Sequence, residues 1–456
     1  MAEERKSIHG QWTNRTVFIL AATGSAVGLG NIWKFPYIAG ENGGGTFVLI
    51  YLLCIAMIGI PIMMAEIMLG RRGKQSPINT MIALAKEEER NPAWVWLGWM
   101  GVLAGFLILS YYSVIAGWTM SYIFRTGGGM FLGVTADGVN SIFTDLVTDP
   151  ERLLAWHTIF MVMTIAVVAR GVKNGIERAV TYLMPLLFAM LIIIVIYAMT
   201  TGYFMEGVRF LFTPGEINGK AILIAMGHAF FTLSLGMGAI MVYGSYLSKQ
   251  HSITQASMLI ALADTVVALL AGLAIFPIVF ANGLEPGAGP GLIFQTLPIA
   301  FGHMQGGTLV GVVFFTLLVF AAWTSAISLI EPAVAYLVEN KGYNRIYASV
   351  WVGVTTWAVG LGTVFSFNIW KEKTLTIPYV FEDLTFFDTL DYLTANVMLP
   401  LGGLFIALFA AWVMKEKSTR EELATYPWLY RIWNFLISFI TPLAVIVVFL
   451  KAVGAI

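Results

Sequence analysis

Two apolar stretches of the sequence, residues 15–38 and 221–247, contain glycines and hydrogen-bonding side chains near their middle. Each holds a glycine–x–glycine pair, Gly28 with Gly30 in the first stretch and Gly236 with Gly238 in the second. Because each glycine costs about 1 kcal/mol in a helix interior, the pairs predict local unwinding. N–H groups freed at the start of a half-helix can hold an anion, and freed carbonyls can hold a cation. The pattern therefore predicts sites for small charged ligands.

Close helix packing through small residues is an alternative explanation, and it would suffice for one such stretch. Two stretches in corresponding places favour broken helices instead, because unwound backbone is tolerated inside a membrane only where it lines a cavity. A soluble dinucleotide-binding motif is excluded because no strand precedes the glycines.

Polar side chains in other apolar stretches could complete an ion site, namely those of Asp264, Thr324 and Ser325. Oxygen ligands without clustered histidines or cysteines suit an alkali or alkaline-earth ion and argue against zinc or a redox metal. An intramembrane carboxylate is by default a functional candidate, which we apply to Asp264. For Glu66 and Glu331 we favour a buried acid that caps a helix or accepts hydrogen bonds from freed backbone.

The elements that must position these residues are membrane helices. Of the 456 residues, 58% are hydrophobic and only 11% are charged, and the mean hydropathy is +0.80. This composition excludes a disordered chain, a basic nucleic-acid-binding protein and an ordinary soluble enzyme. Lysine plus arginine equals aspartate plus glutamate, 26 each, so net charge indicates no ionic partner.

Runs of about 20 apolar residues, the length that crosses a bilayer, predict about eleven transmembrane helices. They lie at about 15–38, 46–69, 94–124, 153–170, 181–201, 221–247, 255–281, 306–337, 346–366, 390–414 and 427–454. The runs are continuous rather than alternating, which excludes a closed barrel. We therefore predict an all-α polytopic membrane protein whose residues 1–456 form a single transmembrane domain.

The distribution of lysine and arginine predicts a cytoplasmic N-terminus, since most of the 26 basic residues then fall in cytoplasmic segments. Four segments predicted to be external are long. One of them, 282–305, mixes glycine and proline with apolar residues, and we expect it to fold back as a lid over a vestibule.

Four motifs carry a resemblance to a known family: GSAVGLGNIWKFPY, ENGGGTF, FFTLSLGMGAIMVYGSY and AAWTSA. They resemble the neurotransmitter:sodium symporters, and the likeness is closest to bacterial members that have eleven helices and take hydrophobic amino acids. The resemblance implies a 5+5 inverted repeat in which helices 1 and 6 are broken at the midplane. The first repeat would span about 12–201, the second about 221–414, and an extra helix about 427–454.

The resemblance also implies a set of binding residues. The amino acid would be bound by Ser25, Ala26, Leu29, Gly30, Ile108, Tyr112, Phe231, Thr232, Ser234, Met237, Ser325 and Leu329. A first sodium ion would be held by Ala26, Asn31, Thr232 and Asp264, and a second by Gly24, Val27, Ala321, Thr324 and Ser325. The family usually has asparagine at the position of Asp264. The substrate pocket would contain no charged group, so it should reject charged side chains.

The resemblance further implies gates on both sides of the site. Phe231 would be an aromatic lid, and Lys34 with Asp391 would form an outer pair where the family usually has arginine with aspartate. The inner gate would use Trp12, Tyr246 and Glu339. His9 stands where relatives have an arginine, so either Arg5 replaces that arginine or the inner gate is sensitive to pH through His9.

These expectations predict sodium-coupled symport of hydrophobic and aromatic L-amino acids by alternating access, with two Na⁺ ions. The alternatives are a proton- or sodium-coupled carrier of another small zwitterion, or a channel. We do not expect an enzyme, because neither a nucleophile–base pair nor a metal cluster is apparent. The protein would be a multi-pass protein of the cell (plasma) membrane, would bind no nucleic acid, and would act as a monomer.

Overall fold

The fold is described from a computed structural model for residue 5 and residues 7–215, 219–286, 291–377, 381–423 and 426–452. The first nine helices are α1 (Arg15–Ala26), α2 (Phe35–Glu41), α3 (Gly45–Cys54), α4 (Ile60–Gly73), α5 (Pro77–Glu87), α6 (Val95–Gly127), α7 (Ala136–Val147), α8 (Pro150–Val168) and α9 (Arg178–Met199). The next six are α10 (Phe204–Phe212), α11 (Gly219–Thr232), α12 (Ala239–Ser245), α13 (Ile253–Ala281), α14 (Leu297–His303) and α15 (Gly307–Lys341). The last six are α16 (Arg345–Ser366), α17 (Phe386–Asp391), α18 (Leu399–Leu408), α19 (Glu416–Leu423), α20 (Pro427–Phe435) and α21 (Thr441–Ala452).

Turns of wider π-helix join several of these helices into longer rods. They lie at Gly30–Lys34, Ile55–Gly59, Val172–Glu177, Leu292–Thr296, Tyr392–Met398, Phe409–Val413 and Leu436–Ile440, and a 3₁₀ turn lies at Pro92–Trp94. Within the described residues, nine continuous rods are long and apolar enough to cross a membrane, and the pair Arg15–Ala26 and Gly30–Glu41, bent by 52°, makes up to ten. The predicted sixth span consists of α11 and α12, which are too short to be counted this way. The all-α polytopic class is confirmed, and the count of eleven stays a prediction.

The first span breaks where the sequence analysis expected it to. Asn14 caps α1 by accepting a hydrogen bond from the backbone nitrogen of Val17 at 2.9 Å. The helix ends at Ala26, because Val27 is extended, with φ −69° and ψ 108°. Helical structure resumes at Gly30. The first half-helix thus ends, and the second begins, in the interior of the protein.

The sixth span breaks between α11 and α12, where three residues have left-handed backbone. Gly236 has φ 79° and Gly238 has φ 74°, values that glycine adopts without steric cost. Ser234 has φ 54°, which is unfavourable for a residue with a side chain. Its hydroxyl donates to the carbonyl of Ser25 at 2.8 Å, so a contact between the two broken spans stabilises this backbone.

The backbones of α4 and α12 touch. A Cβ atom on Gly70 would lie 1.9 Å from the carbonyl oxygen of Met241, and one on Gly244 would lie 2.7 Å from that of Ile67. Side chains larger than hydrogen do not fit at either glycine. Span 2 and the second half of span 6 are therefore in direct main-chain contact.

Two long segments between spans have structure of their own. The strands β1 (Leu375–Ile377) and β2 (Phe381–Leu384) pair antiparallel, a hairpin that the all-α prediction did not include. In the segment expected to be a lid, Phe294 is buried and its ring lies 6.0 Å from that of Trp33. The stretch 291–303 thus folds back into the protein, and residues 287–290 of the same segment lie outside the described residues.

Candidate functional site

A cavity lies between the two helix breaks and faces α6 and α15. It is lined by Ser25, Ala26, Gly28, Gly30, Ile108, Tyr112, Phe231, Ser234, Met237, Ser325 and Leu329. Its volume is about 20 Å³, room for a single water molecule. Ten of these residues belong to the predicted substrate set. Leu29 and Thr232 were also predicted. They are sequence neighbours of lining residues but do not line the cavity themselves.

One end of the cavity is built from hydrogen-bonding groups at the start of the second half-helix. The backbone nitrogen of Leu29 donates to the hydroxyl oxygen of Tyr112 at 3.2 Å, and that of Gly28 donates to Oδ1 of Asn31 at 3.0 Å. A Cβ atom on Gly28 would lie 2.6 Å from Oγ of Ser325 and 2.8 Å from the Tyr112 hydroxyl. The N–H groups, the hydroxyl and the helix dipole can together bind a carboxylate.

The other end of the cavity is apolar. Ile108, Met237 and Leu329 contribute buried side chains, exposed by 2%, 2% and 5%. The hydroxyl of Ser25 is already hydrogen-bonded within the protein, because it donates to that of Ser328 at 2.7 Å. An uncharged, apolar group fits this end, whereas a charged group would lose its hydration without gaining a partner.

A first oxygen cluster surrounds the carboxylate of Asp264 in α13, which is fully buried. The Asn31 amide donates to it at 2.7 Å, and the Thr232 hydroxyl lies 3.1 Å from its second oxygen. The Tyr51 hydroxyl also donates to that second oxygen, at 3.4 Å. One carboxylate therefore joins both helix breaks. The oxygens of Asp264, Asn31 and Thr232 are of the kind that a small hard cation prefers.

A second oxygen cluster lies on the α15 side of the first break. The hydroxyl of Ser325 lies 3.4 Å from the carbonyl oxygen of Gly24 and 3.2 Å from that of Val27. The Thr324 hydroxyl lies 3.1 Å from the carbonyl oxygen of Ala321. The structure thus brings together the oxygens of Gly24, Val27 and Ser325, while the contact between Thr324 and Ala321 lies within α15. The cluster contains no carboxylate, so it is neutral.

On the side where the residues before α1 lie, the cavity is closed by the buried ring of Trp12. Trp12 is 6% exposed, its ring nitrogen donates to the carbonyl of Tyr243 at 3.0 Å, and its ring lies 5.8 Å from that of Tyr246. His9 Nε2 lies 3.0 Å from Oε1 of Glu339. The residues predicted for the inner gate are therefore brought together. Arg5 does not replace the family arginine, because its guanidinium contacts Glu87 instead.

The opposite side is covered by Phe231, with the ammonium of Lys34 4.7 Å from its ring centroid, a cation–π contact. Among the described ion pairs, Lys34 and Asp391 do not occur together, and Asp391 accepts a hydrogen bond from the Tyr111 hydroxyl at 3.3 Å. Lys34 and Asp391 nevertheless interact electrostatically, and the outer pair stays a prediction. A second cavity, of about 230 Å³, lies beyond Phe231.

Of the two buried acids, Glu66 has the freed-backbone partner that the sequence favoured, whereas Glu331 is bound by side chains instead. Glu66 accepts a hydrogen bond from the backbone nitrogen of Gly236 at 3.2 Å, within the second break. Glu331 accepts from the Tyr246 hydroxyl at 2.7 Å and from Arg345 at 2.5 Å. Both acids stabilise helix ends or neighbouring side chains and neither lines the cavity between the helix breaks.

Sequence reasoning missed three residues of the site: Gly28 as a lining residue, Tyr51 and Ser328. Ser328 follows Ser325 by three positions, so helical spacing could have identified it. Tyr51 carries no such signal, because it lies in an ordinary apolar run and reaches Asp264 only through the packing of α3 on other helices.

Comparison with known proteins identifies the family to which this arrangement belongs. The model of the sodium:neurotransmitter symporter family matches residues 9–128 and 144–456. The chain belongs to the sodium:neurotransmitter symporter family. An uncharacterized sodium-dependent transporter of Bacillus subtilis, YhdH, is 40% identical over 97% of this chain and 98% of its own length. Another from Haemophilus influenzae is 34% identical over 96% and 97%.

A solved structure of the same family has the same fold as this symporter. The crystal structure of MhsT in complex with L-phenylalanine has a TM-score of 0.88 and 44% identity, covering 97% of this chain and 99% of MhsT. The family resemblance inferred from the four motifs is confirmed. The symporter is thus a sodium-dependent, multi-pass transporter, and a transporter family is not an enzyme class.

Proposed function

We propose that this symporter carries hydrophobic and aromatic L-amino acids together with sodium by alternating access. The observation that supports this most directly is the cavity between the two broken helices, which is polar at one end and apolar at the other. A free amino acid with an apolar side chain has a matching polar end, its carboxylate and ammonium, and a matching apolar end, its side chain. The relationship to MhsT, which was crystallised with L-phenylalanine, supports the same substrate class.

The substrate carboxylate would bind the N–H groups of Leu29 and Gly30 and the Tyr112 hydroxyl. Its ammonium would face carbonyls of Ala26, Phe231 and Thr232 at the end of α11, where the helix dipole is negative. The side chain would contact Ser25, Ile108, Ser234, Met237, Ser325 and Leu329. Because the cavity is small, these groups must separate when an amino acid binds.

The first sodium ion would be held by Ala26, Asn31, Thr232 and Asp264 and would also contact the substrate carboxylate. Ion and substrate would then share ligands from both helix breaks, so each raises the affinity for the other by the same factor. This reciprocity is what couples uptake to the ion gradient. The negative charge of Asp264 strengthens the site where relatives have a neutral asparagine.

The second sodium ion would be held by Gly24, Val27, Ala321, Thr324 and Ser325. These oxygens belong to α1 and α15, so the ion joins the first half-helix to an unbroken one. In its absence the carbonyls of α1 lose a cation that bridges them, and α1 is free to tilt. Its release would therefore accompany opening towards the cytoplasm.

Access to the site would alternate between gates on its two sides. Phe231, Lys34 and Asp391 would close the outer side, and Trp12, Tyr246 and Glu339 the inner one. The moving parts would be two inverted repeats, about 12–201 and 221–414, with the helix at 427–454 outside them. We further propose that the protein is a monomer in the plasma membrane with a cytoplasmic N-terminus.

The test is uptake of radiolabelled leucine, phenylalanine and tryptophan into proteoliposomes with and without an inward sodium gradient. We expect accumulation only with sodium, with competition by apolar and aromatic amino acids and none by lysine or glutamate. Uptake driven by a pH gradient without sodium would instead establish proton coupling. Conductance far above carrier turnover would establish a channel.

A further inference from the structure

The residues before α1 are attached to helix α5 at two places, once through the carboxylate of Glu339 in α15 and once directly. We call residues 5 and 7–14 the N-terminal segment. At its His9 end, Nε2 lies 3.0 Å from Glu339, and the same carboxylate accepts from the backbone nitrogen of Ser76, the residue before α5, at 2.8 Å. The Ser76 hydroxyl and the Asn79 amide also donate to Glu339, at 2.5 and 2.8 Å. The first attachment is therefore at the start of α5.

The second attachment is at the end of α5. The guanidinium of Arg5 lies 2.7 Å from Oε2 of Glu87, the last residue of the helix. The same guanidinium donates to the carbonyl oxygens of Arg72 and Ala83, each at 3.3 Å. Three acceptors from α4 and α5 thus converge on one side chain, which is more than a chance surface ion pair provides.

Glu87 is itself shared. Its other oxygen, Oε1, accepts from Nη2 of Arg72 at 2.5 Å, and Arg72 also contacts Glu421 of α19 at 3.1 Å. The side chains of Arg5, Glu87 and Arg72 are exposed by only 30%, 18% and 15%. Part-buried, charge-assisted pairs of this kind are stronger than exposed ones. We call Arg5, Glu87 and Arg72 the Arg5 cluster.

We propose that the Arg5 cluster is a second lock on the N-terminal segment, separate from the His9–Glu339 contact, and that it must open when the transporter opens on this side. The inference rests on the alternating-access function proposed above. Opening on this side has to move α1, and α1 is continuous with the segment that both attachments hold to α5. Arg5 and Glu87 are then positioning residues, because they act on Trp12 through the segment and touch no substrate or ion.

The geometry separates the two locks. His9 and Arg5 bind different carboxylates, Glu339 in α15 and Glu87 in α5. Glu339 contacts the start of α5, whereas Glu87 is its last residue. Glu87 does not contact Glu339 or His9 in any described hydrogen bond. Loss of the Arg5 contact should therefore loosen the segment without removing the His9 contact, and the two losses should add.

The experiment is hydrogen–deuterium exchange of the purified full chain, read at peptides covering residues 7–14. These include the Trp12 amide, which donates to the carbonyl of Tyr246 at 3.1 Å. The variants are Arg5→Gln and Glu87→Gln, with Arg5→Lys as the conservative change. The matched control is Glu416→Gln, which removes the exposed ion pair with Arg420 within α19, 2.7 Å long, and does not touch the segment.

We expect both Arg5→Gln and Glu87→Gln to accelerate exchange about threefold, as loss of one such pair predicts. The double variant should exchange as fast as Glu87→Gln alone, because both changes remove the same contact. Arg5→Lys should restore most of the protection, and Glu416→Gln should match the original protein. Wild-type exchange in Arg5→Gln, or equal acceleration in Glu416→Gln, would overturn the proposal.

A sodium titration distinguishes a lock from a merely structural contact. If the Arg5 cluster favours the closed inner side, Arg5→Gln should raise the sodium concentration that gives half-maximal protection of 7–14 about threefold. An unchanged midpoint would contradict the lock. If sodium protects the segment in no variant, the proposed function is what fails, while the comparison of variants without sodium still tests the attachment.

Discussion

The side-chain amide nitrogen of Asn31 lies 2.7 Å from the carboxylate of Asp264, so that the break in span 1 is hydrogen-bonded to the unbroken helix α13. The Thr232 hydroxyl, from the break in span 6, reaches the same carboxylate. Asp264 therefore couples the two discontinuities that build the site. It is the residue whose charge the predictions below test first.

Replacing Asp264 with asparagine should weaken sodium binding. The change keeps the size and most hydrogen-bonding capacity of the side chain but removes its charge, which lies beside the proposed first ion. We expect about a tenfold rise in the sodium concentration for half-maximal uptake, about 1.4 kcal/mol. Uptake should also become dependent on chloride, which would restore the missing charge. Unchanged sodium dependence would show that Asp264 is not at the ion.

Removing the hydroxyl of Ser325 should weaken the proposed second sodium ion, since that oxygen lies within 3.4 Å of the carbonyls of Gly24 and Val27. We expect Ser325→Ala to lower sodium affinity several-fold in equilibrium binding. Ser349→Ala is the matched control, because Ser349 is buried in α16 and its hydroxyl has no hydrogen-bond partner among the described residues. Equal effects of the two changes would indicate a general loss of stability.

Adding one methyl group at Gly28 should abolish transport, because its Cβ would lie 2.6 Å from Ser325 and 2.8 Å from Tyr112. Those contacts are too close to be relieved without displacing residues of the site. Gly227→Ala provides the control in α11, where a Cβ meets nothing within 4 Å. We expect it to be tolerated, with stability unchanged or higher by up to about 1 kcal/mol. Uptake of labelled leucine into proteoliposomes measures transport, and thermal unfolding of the solubilised protein measures stability.

Replacing His9 with arginine should strengthen the contact with Glu339, because arginine is permanently charged and can bind a carboxylate through two nitrogens. A stronger contact stabilises the closed inner side and slows its opening. We expect a several-fold lower maximal rate of uptake with little change in substrate affinity. His9→Ala should have the opposite effect on opening, seen as faster exchange of residues 7–14. A His9→Arg protein that transports at the original rate would remove this role.

Enlarging the apolar end of the cavity should change its preference among substrates. Leu329→Ala removes a large side chain that is 5% exposed and lines the cavity. We expect tryptophan to compete better against leucine in this variant. The cavity of about 20 Å³ must expand to hold an amino acid, and a smaller side chain at position 329 reduces the expansion that tryptophan requires. Competition assays in proteoliposomes give the ratio of the two inhibition constants. A ratio that stays constant would place the substrate side chain elsewhere.

Glycine pairs and polar groups stand out in apolar spans, so the sequence pattern was enough to predict the broken helices. Most residues that line the cavity were predicted from the family resemblance. The sequence could not predict which ion pairs form. The ammonium of Lys34 lies over Phe231, a contact that the sequence did not predict, and Arg5 binds Glu87 rather than Glu339. Such choices depend on distances of a few ångströms between helices far apart in sequence. The same reason hid Tyr51, which lies 213 positions from Asp264.

The direct contact between the backbones at Gly70 and Met241 limits how this transporter can change shape. Because no side chains separate the backbones of α4 and α12 at this contact, the two helices cannot shift past each other there. We therefore expect them to move together as one rigid body. A swing of α12 then carries span 2 with it, and the motion has to be absorbed elsewhere. Residues 233–238 are the non-helical stretch between α11 and α12, so we expect the two halves of span 6 to turn relative to each other there.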